Sequence, residues 1–173
     1  CKNPECGGRI LEGIIHFASR AAMDIEGLGE KQIEQLYSMG YLTDATDIYL
    51  LKNYEKDLLA LERFGQKKVD NLLEAIEKSK QNSLDKFIFG LGIRFIGAKA
   101  AKTLAKRYKS ITEVKNATYE ELVMLDDIGE VMAKSIVTYF QNDKHIELIN
   151  KFISYGLNPI SSLDNTSLIF NGL

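Results

Sequence analysis

An apolar residue followed directly by glycine recurs at Leu28-Gly29, Phe64-Gly65, Ile96-Gly97 and Ile128-Gly129, at spacings of 36, 32 and 32 residues. The same apolar frame returns around each pair. Ile25, Leu61, Ile93 and Leu125 stand three residues before the apolar member, and Ile33, Val69, Ala101 and Ala133 stand five after it. Leu36, Leu72, Leu104 and Ile136 follow three residues later. Each copy must then be one supersecondary unit that buries its apolar face against its neighbours, which constrains the fold more than any single motif does.

Residues after each glycine carry apolar positions three to four apart, as in Val69, Leu72, Leu73 and Ile76, which share one face of a helix. The stretches before it, such as "YEKDLLAL" and "TYEELVML", also gather their leucines and valine on one side. Thr118 with Glu121, and Ser110 with Glu113, have the capping-box spacing of a helix start. Alternating period-two stretches are almost absent, and prolines number 2. The expectation is an all-α fold of four tandem units, each helix, tight glycine turn, helix.

Composition narrows the functional classes. With 173 residues, 45% hydrophobic and 27% charged, the chain can bury a substantial core. No apolar run approaches the roughly 18 residues that span a bilayer, and no basic-then-apolar leader opens the chain, so no membrane partner is expected and the cytoplasm is the default location. The net charge of -2 argues against a broadly basic nucleic-acid binder, so any contact with nucleic acid must be local. Both cysteines lie within the first six residues, which excludes a disulfide-stapled scaffold. A first residue that is Cys1 rather than methionine is the mark expected of a piece of a longer protein.

The turn itself can do chemistry. Glycine there permits positive φ or close backbone approach, and the helix that follows begins with unpaired N–H groups and a partial positive charge. A phosphate oxygen can rest on those amides with no side chain at all, giving contact indifferent to base sequence. The alternative is that the glycines merely cap the preceding helices. Lysine placement favours the anion reading. Cations in a first turn oppose the helix dipole, by roughly 0.3 to 1 kcal/mol, yet Lys67, Lys68, Lys99 and Lys102 follow the second and third turns. The first and fourth turns carry Glu30 and Glu130 instead, with Lys31 and Lys134 nearby. The candidate phosphate-binding set is therefore Gly27, Gly29, Lys31, Gly65, Lys67, Lys68, Gly97, Lys99, Lys102, Gly129 and Lys134, with the second and third turns expected to grip hardest.

Turns of the form apolar-x-Gly-apolar-Gly between helices resemble helix-hairpin-helix motifs of the SAM-like kind. Four in series after "CKNPEC", with "HFASRAAMDIEGLGEKQIEQL", "DLLALERFGQKKVDNLLEAIEKSK" and "FGLGIRFIGAKAAKTLA", resemble the C-terminal part of bacterial NAD-dependent DNA ligases over residues 1–157. That resemblance implies a domain over 7–157, with hairpins near 25–33, 61–69, 93–101 and 125–133, that binds the minor-groove face of nicked double-stranded DNA as a monomer in the bacterial nucleoid, during replication and repair. It implies that Cys1 and Cys6 are the last two of four zinc-binding cysteines, so that residues 1–6 end a zinc finger, and that 158–173 are a linker opening a BRCT domain. Sealing in such ligases uses NAD and magnesium and passes through an adenylated lysine; the K-x-D-G signature that carries that lysine does not occur in this sequence. The family pattern places glycine at the first hairpin position. Only Gly27 matches, whereas Arg63, Phe95 and Asp127 replace it in the other copies, so those three hairpins are expected to need a different backbone conformation and Asp127 to repel a phosphate.

Catalysis by the chain itself finds no support. "FGLGIRFIG" resembles a dinucleotide-binding turn, but Phe95 stands where the third glycine of G-x-G-x-x-G belongs. No G-x-x-x-x-G-K-[ST] loop exists. His16 and His145 are read as packed or solvated rather than as metal ligands. Two other readings remain: a helical protein-interaction module, and a helix-hairpin-helix domain of another DNA-repair enzyme. The second gives no reason for a C-x4-C pair ahead of the first hairpin.

Overall fold

The computed structural model describes residues 7–61, 64–157 and 159. Every regular element among them is helical, and the chain divides into two compact units at Lys80 and Gln81. The first unit holds α1 (Gly7–Ala18), α2 (Glu30–Ser38), a 3-10 segment (Ala45–Tyr54), α3 (Glu55–Leu59) and α4 (Gln66–Ser79). The second holds α5 (Leu84–Gly90), α6 (Ala98–Arg107), α7 (Ile111–Lys115), α8 (Tyr119–Val123), α9 (Glu130–Gln141) and α10 (Asp143–Ser154). Each unit contains two of the expected hairpins: α1/α2 and α3/α4 in the first, α5/α6 and α8/α9 in the second.

The repeated frame forms the core of both units. Leu28, Ile33, Leu36, Phe64, Val69 and Leu72 are buried in the first unit, and Ile96, Ala101, Leu104, Ile128, Ala133 and Ile136 in the second. In α6 the small residues Ala100, Ala101 and Ala105 are buried, so that α5 packs closely against it. Phe87 of α5 meets Phe152 of α10 edge to face, with ring centres 5.4 Å apart. That geometry suits the aromatic quadrupoles and ties the last helix to the start of the unit.

Side-chain caps start the 3-10 segment, α7, α8 and α10, whereas α3 and α5 begin without one. Ser110 accepts from the Glu113 amide at 3.3 Å and Thr118 from the Glu121 amide at 3.2 Å, as their spacing predicts. Asn142 accepts from the Lys144 amide at 2.9 Å. Asp44 accepts from the Thr46 amide at 2.8 Å and opens the 3-10 segment, an element with no periodicity to announce it.

That segment is anchored through Tyr49. Its ring packs edge-on to Phe17 at 6.3 Å, and its hydroxyl shares a hydrogen bond with Ser79 at 2.8 Å, while Ser79 donates to the Ile76 carbonyl at 2.7 Å. Burial raises the Tyr49 pKa well above the ordinary 10.0, because phenolate would be stranded away from water. The neutral ring therefore supports the fold fully below pH 10.0, and this contribution is lost as pH rises through the folded-state value. Chemical denaturation across alkaline pH is expected to show the first unit weakening above about pH 10. Tyr49→Phe should flatten that decline and cost about 1 kcal/mol at neutral pH.

Candidate nucleic-acid interface

The four turns share one hydrogen-bonded geometry. The amides of Leu28, Phe64, Ile96 and Ile128 bond the carbonyls of Ile25, Leu61, Ile93 and Leu125, at 3.3, 3.2, 3.0 and 3.1 Å. One residue later each glycine carbonyl receives the first bond of the next helix. These bonds run from Ile33 to Gly29, Val69 to Gly65, Ala101 to Gly97 and Ala133 to Gly129, at 2.9 to 3.0 Å. The apolar member is thus a buried pin, and the glycine is the N-cap of the helix after the turn, not a C-cap of the helix before it.

Of the two properties expected of glycine at the cap, positive φ and close backbone approach, the dihedral angles exclude the first. Gly29, Gly65, Gly97 and Gly129 have φ of -81°, -98°, -90° and -87° with ψ near 180°, an extended backbone open to any residue. Positive φ is not what they supply. Nor does packing demand glycine: a Cβ added at Gly65, Gly97 or Gly129 would meet nothing within 4 Å, and at Gly29 only the far end of the Gln32 side chain. None of these four helices has a side-chain cap. The first-turn amides of α2, α4, α6 and α9 therefore lack the capping oxygen that serves α7, α8 and α10.

Left-handed backbone occurs at the first hairpin position instead. Gly27 has φ +88° and its Cα faces Leu72 of α4, where an added Cβ would sit 3.7 Å from that residue. Phe95 takes the same conformation at φ +69°, so the third hairpin keeps the backbone of the first despite losing its glycine, contrary to expectation. The strain costs roughly 1–2 kcal/mol. Asp127 is not left-handed, so the fourth turn departs as its sequence implies, while Arg63 lies outside the described residues.

Charge around the turns is distributed unevenly. No acidic residue occupies the first turn of α4 or α6, whereas Glu30 and Glu130 open α2 and α9. Lys31, Lys67, Lys102 and Lys134 are exposed, Lys68 is half-exposed, and the Lys99 side chain is 85% exposed. Lys68 places its ammonium 5.7 Å from the centre of the Phe64 ring. Asp127 is turned toward α6: Thr103 donates to it at 2.8 Å and the Lys99 ammonium lies 3.6 Å away. The Thr103 hydrogen bond, with the Lys99 charge behind it, holds the Asp127 carboxyl below its ordinary range. Asp127 therefore braces the third and fourth hairpins and draws one lysine aside. Neither Thr103 nor the bond from Ser135 to the Arg94 carbonyl, at 2.5 Å, belongs to the repeated frame, so no periodic signal in the sequence marks either.

Metal and histidine expectations resolve separately. Cys1 and Cys6, and the tail expected to open a BRCT domain, lie outside the described residues. Among the described residues no group of three His, Cys, Asp or Glu is placed to hold a metal. His145 stacks on Tyr139 at 3.9 Å and bonds its carbonyl at 2.8 Å, and His16 lies in the last turn of α1.

Comparison with known families gives this geometry a class. Residues 19–78 match the SAM-like helix-hairpin-helix tandem and residues 86–149 match the helix-hairpin-helix motif, so two hairpins fall in each match. The chain is thus built of tandem helix-hairpin-helix motifs. Proteins named DNA ligase are similar along nearly all of it. The one from Macrococcus caseolyticus (strain JCSC5402) is 52% identical over 158 residues, covering 91% of this chain and 24% of the relative. That from Shouchella clausii (strain KSM-K16) is 53% identical over 158 residues, covering 91% and 23%. That from Bacillus cereus (strain B4264) is 48% identical over 178 residues, covering 99% and 26%. The chain belongs to the DNA ligase family, as its helix-hairpin-helix region, and spans about a quarter of the length of the curated relatives it matches.

The two glycine classes should separate in stability measurements. Gly97→Ser fits the extended backbone and supplies the missing cap, so urea unfolding should show a gain of roughly 0.3 kcal/mol. Gly27→Ala must hold a side chain at positive φ and should lose about 1 kcal/mol or more.

Proposed function

We propose that this chain is the segment of an NAD-dependent DNA ligase that holds duplex DNA around a nick, without choice of base sequence, while the catalytic part seals it. One observation carries the reading: four helices in one chain begin at extended glycines, with no side-chain cap on their first-turn amides. Such ends suit phosphate oxygens, through both the unpaired N–H groups and the positive end of the dipole. Contacts of this kind reconcile a net charge of -2 with binding a polyanion.

The hairpins are unequal in this reading. α4 and α6 open with lysines and no carboxylate, which favours the second and third hairpins as the stronger phosphate holders. α2 and α9 open with Glu30 and Glu130, and the first hairpin serves packing as much as binding, with Gly27 against Leu72. Cys1 and Cys6 supply two of the four thiolates that a structural zinc takes. NAD and magnesium serve the adenylation chemistry of the parent ligase in replication and repair. The parent works as a cytoplasmic, nucleoid-associated monomer. Among the described residues no helix is long and apolar enough to cross a membrane.

Salt dependence of binding to a nicked duplex, followed by fluorescence anisotropy, tests the phosphate assignment. Lys67→Glu with Lys68→Glu should weaken binding to every sequence alike and reduce the slope of log affinity against log salt by about 1 for each phosphate that is no longer neutralised. Lys31→Glu with Lys134→Glu should do so less. If the parent chain binds with no salt dependence, or the Lys67/Lys68 variant binds as the parent does, a protein-docking role would replace this reading. Asp127→Asn should strengthen binding a few-fold at low salt, since it removes a negative charge and releases Lys99.

A further inference from the structure

Phosphate contact leaves the tip of the third hairpin unexplained. Phe95 is 56% exposed and sits at φ +69°, where glycine is at ease and an aromatic residue is not. Neither the strain nor the exposure helps the fold. The tip is nevertheless held in place: the Arg94 guanidinium carbon lies 4.9 Å from the Phe95 ring centre, and Ser135 donates to the Arg94 carbonyl, tying the turn to α9. One helical turn before Ser135 on the same face of α9 is Val131, 61% exposed. Phe95 and Val131 are therefore two of the exposed large apolar side chains of this unit, with Tyr119, Met124 and Ile153, and of these Phe95 alone sits at positive φ.

The surroundings select the occupant. Phe95 precedes the open end of α6 by two residues, beside Lys99, and Asp127 joins that end to the turn before the open end of α9. Phe95 thus stands two residues before one uncapped helix end, in a turn that Ser135 ties to the helix carrying another. In duplex DNA, two phosphate rows lie close across the minor groove, which is about 6 Å wide. The major groove, about 12 Å wide, takes a whole helix and would leave a turn tip without contacts. Phenylalanine is also among the side chains that enter the minor groove and part neighbouring base steps.

We propose that Phe95, backed by Arg94, is a minor-groove probe that packs its ring on sugar and base edges while α6 and α9 hold the flanking phosphates. This rests on the phosphate-binding role of the hairpins and adds a contact with the groove floor. Binding then becomes sensitive to what projects there, above all the 2-amino group of guanine. Replacing guanine by inosine removes that group and leaves the major groove unchanged.

Anisotropy titrations of the full chain on a nicked duplex, with guanine or inosine, test the inference. The parent chain should bind the inosine duplex more tightly. Phe95→Gly suits the left-handed backbone, so it should unfold at the same or a higher temperature than the parent. It should bind roughly tenfold more weakly at every salt concentration, the scale of a single aromatic ring's packing, with an unchanged salt slope and no inosine preference. Phe95→Tyr should restore both the affinity and the preference. If Phe95→Gly binds as the parent does with the inosine preference intact, the groove contact is overturned, while the salt slope of the parent still supports the phosphate reading. A parent chain without salt-dependent binding would overturn both.

Discussion

Everything in this molecule hangs on a four-residue turn closed by one backbone bond, from the amide of an apolar pin to the carbonyl three residues earlier. Burying Leu28, Phe64, Ile96 or Ile128 fixes where the chain reverses, and the closing bond fixes the direction in which it leaves. The next helix must then start at the glycine. Because that glycine brings no side chain, the helix starts with its amides bare. Core packing and the proposed ligand site are thereby set by the same few atoms, a coupling of hydrophobic burial to backbone polarity.

Much of this was legible in the sequence because hydrophobic periodicity reports burial directly. The frame from Ile25 to Leu36 and its three sister copies mapped onto core positions except at the half-buried Leu61 and Leu125, and the capping boxes at Ser110 and Thr118 marked real helix starts. What stayed hidden is held by contacts without a period. The 3-10 segment depends on Asp44 capping Thr46 and on Tyr49 reaching Ser79 thirty residues away. The brace between Asp127, Thr103 and Lys99 is likewise a tertiary contact. Glycine was the most misleading letter. Its presence at Gly97 suggested positive φ or close backbone approach, and the first is not taken; its absence at position 95 suggested a changed backbone, yet the left-handed one is kept.

That inversion has a physical origin. A glycine can be retained for what its backbone does or for what its missing side chain permits, and a sequence does not distinguish the two. Gly27 is of the first kind, at φ +88°; at Gly65, Gly97 and Gly129 the backbone is ordinary and the fold has room for a side chain, so packing within the chain demands neither. Asp127 shows the same ambiguity for charge. A carboxylate in a turn expected to meet phosphate looks misplaced until its partners are seen, and then it becomes the strut between two neighbouring hairpins.

The cap glycines also equip the molecule to report on itself. Backbone amides of glycine resonate apart from those of other residues in a nitrogen–proton correlation spectrum, because their α-carbon bears no substituent. Gly29, Gly65, Gly97 and Gly129 stand at equivalent places in successive hairpins, with nearly the same dihedral angles. They form a set of matched native labels, one per hairpin, whose resonances rank the occupancy of the turns without any added probe.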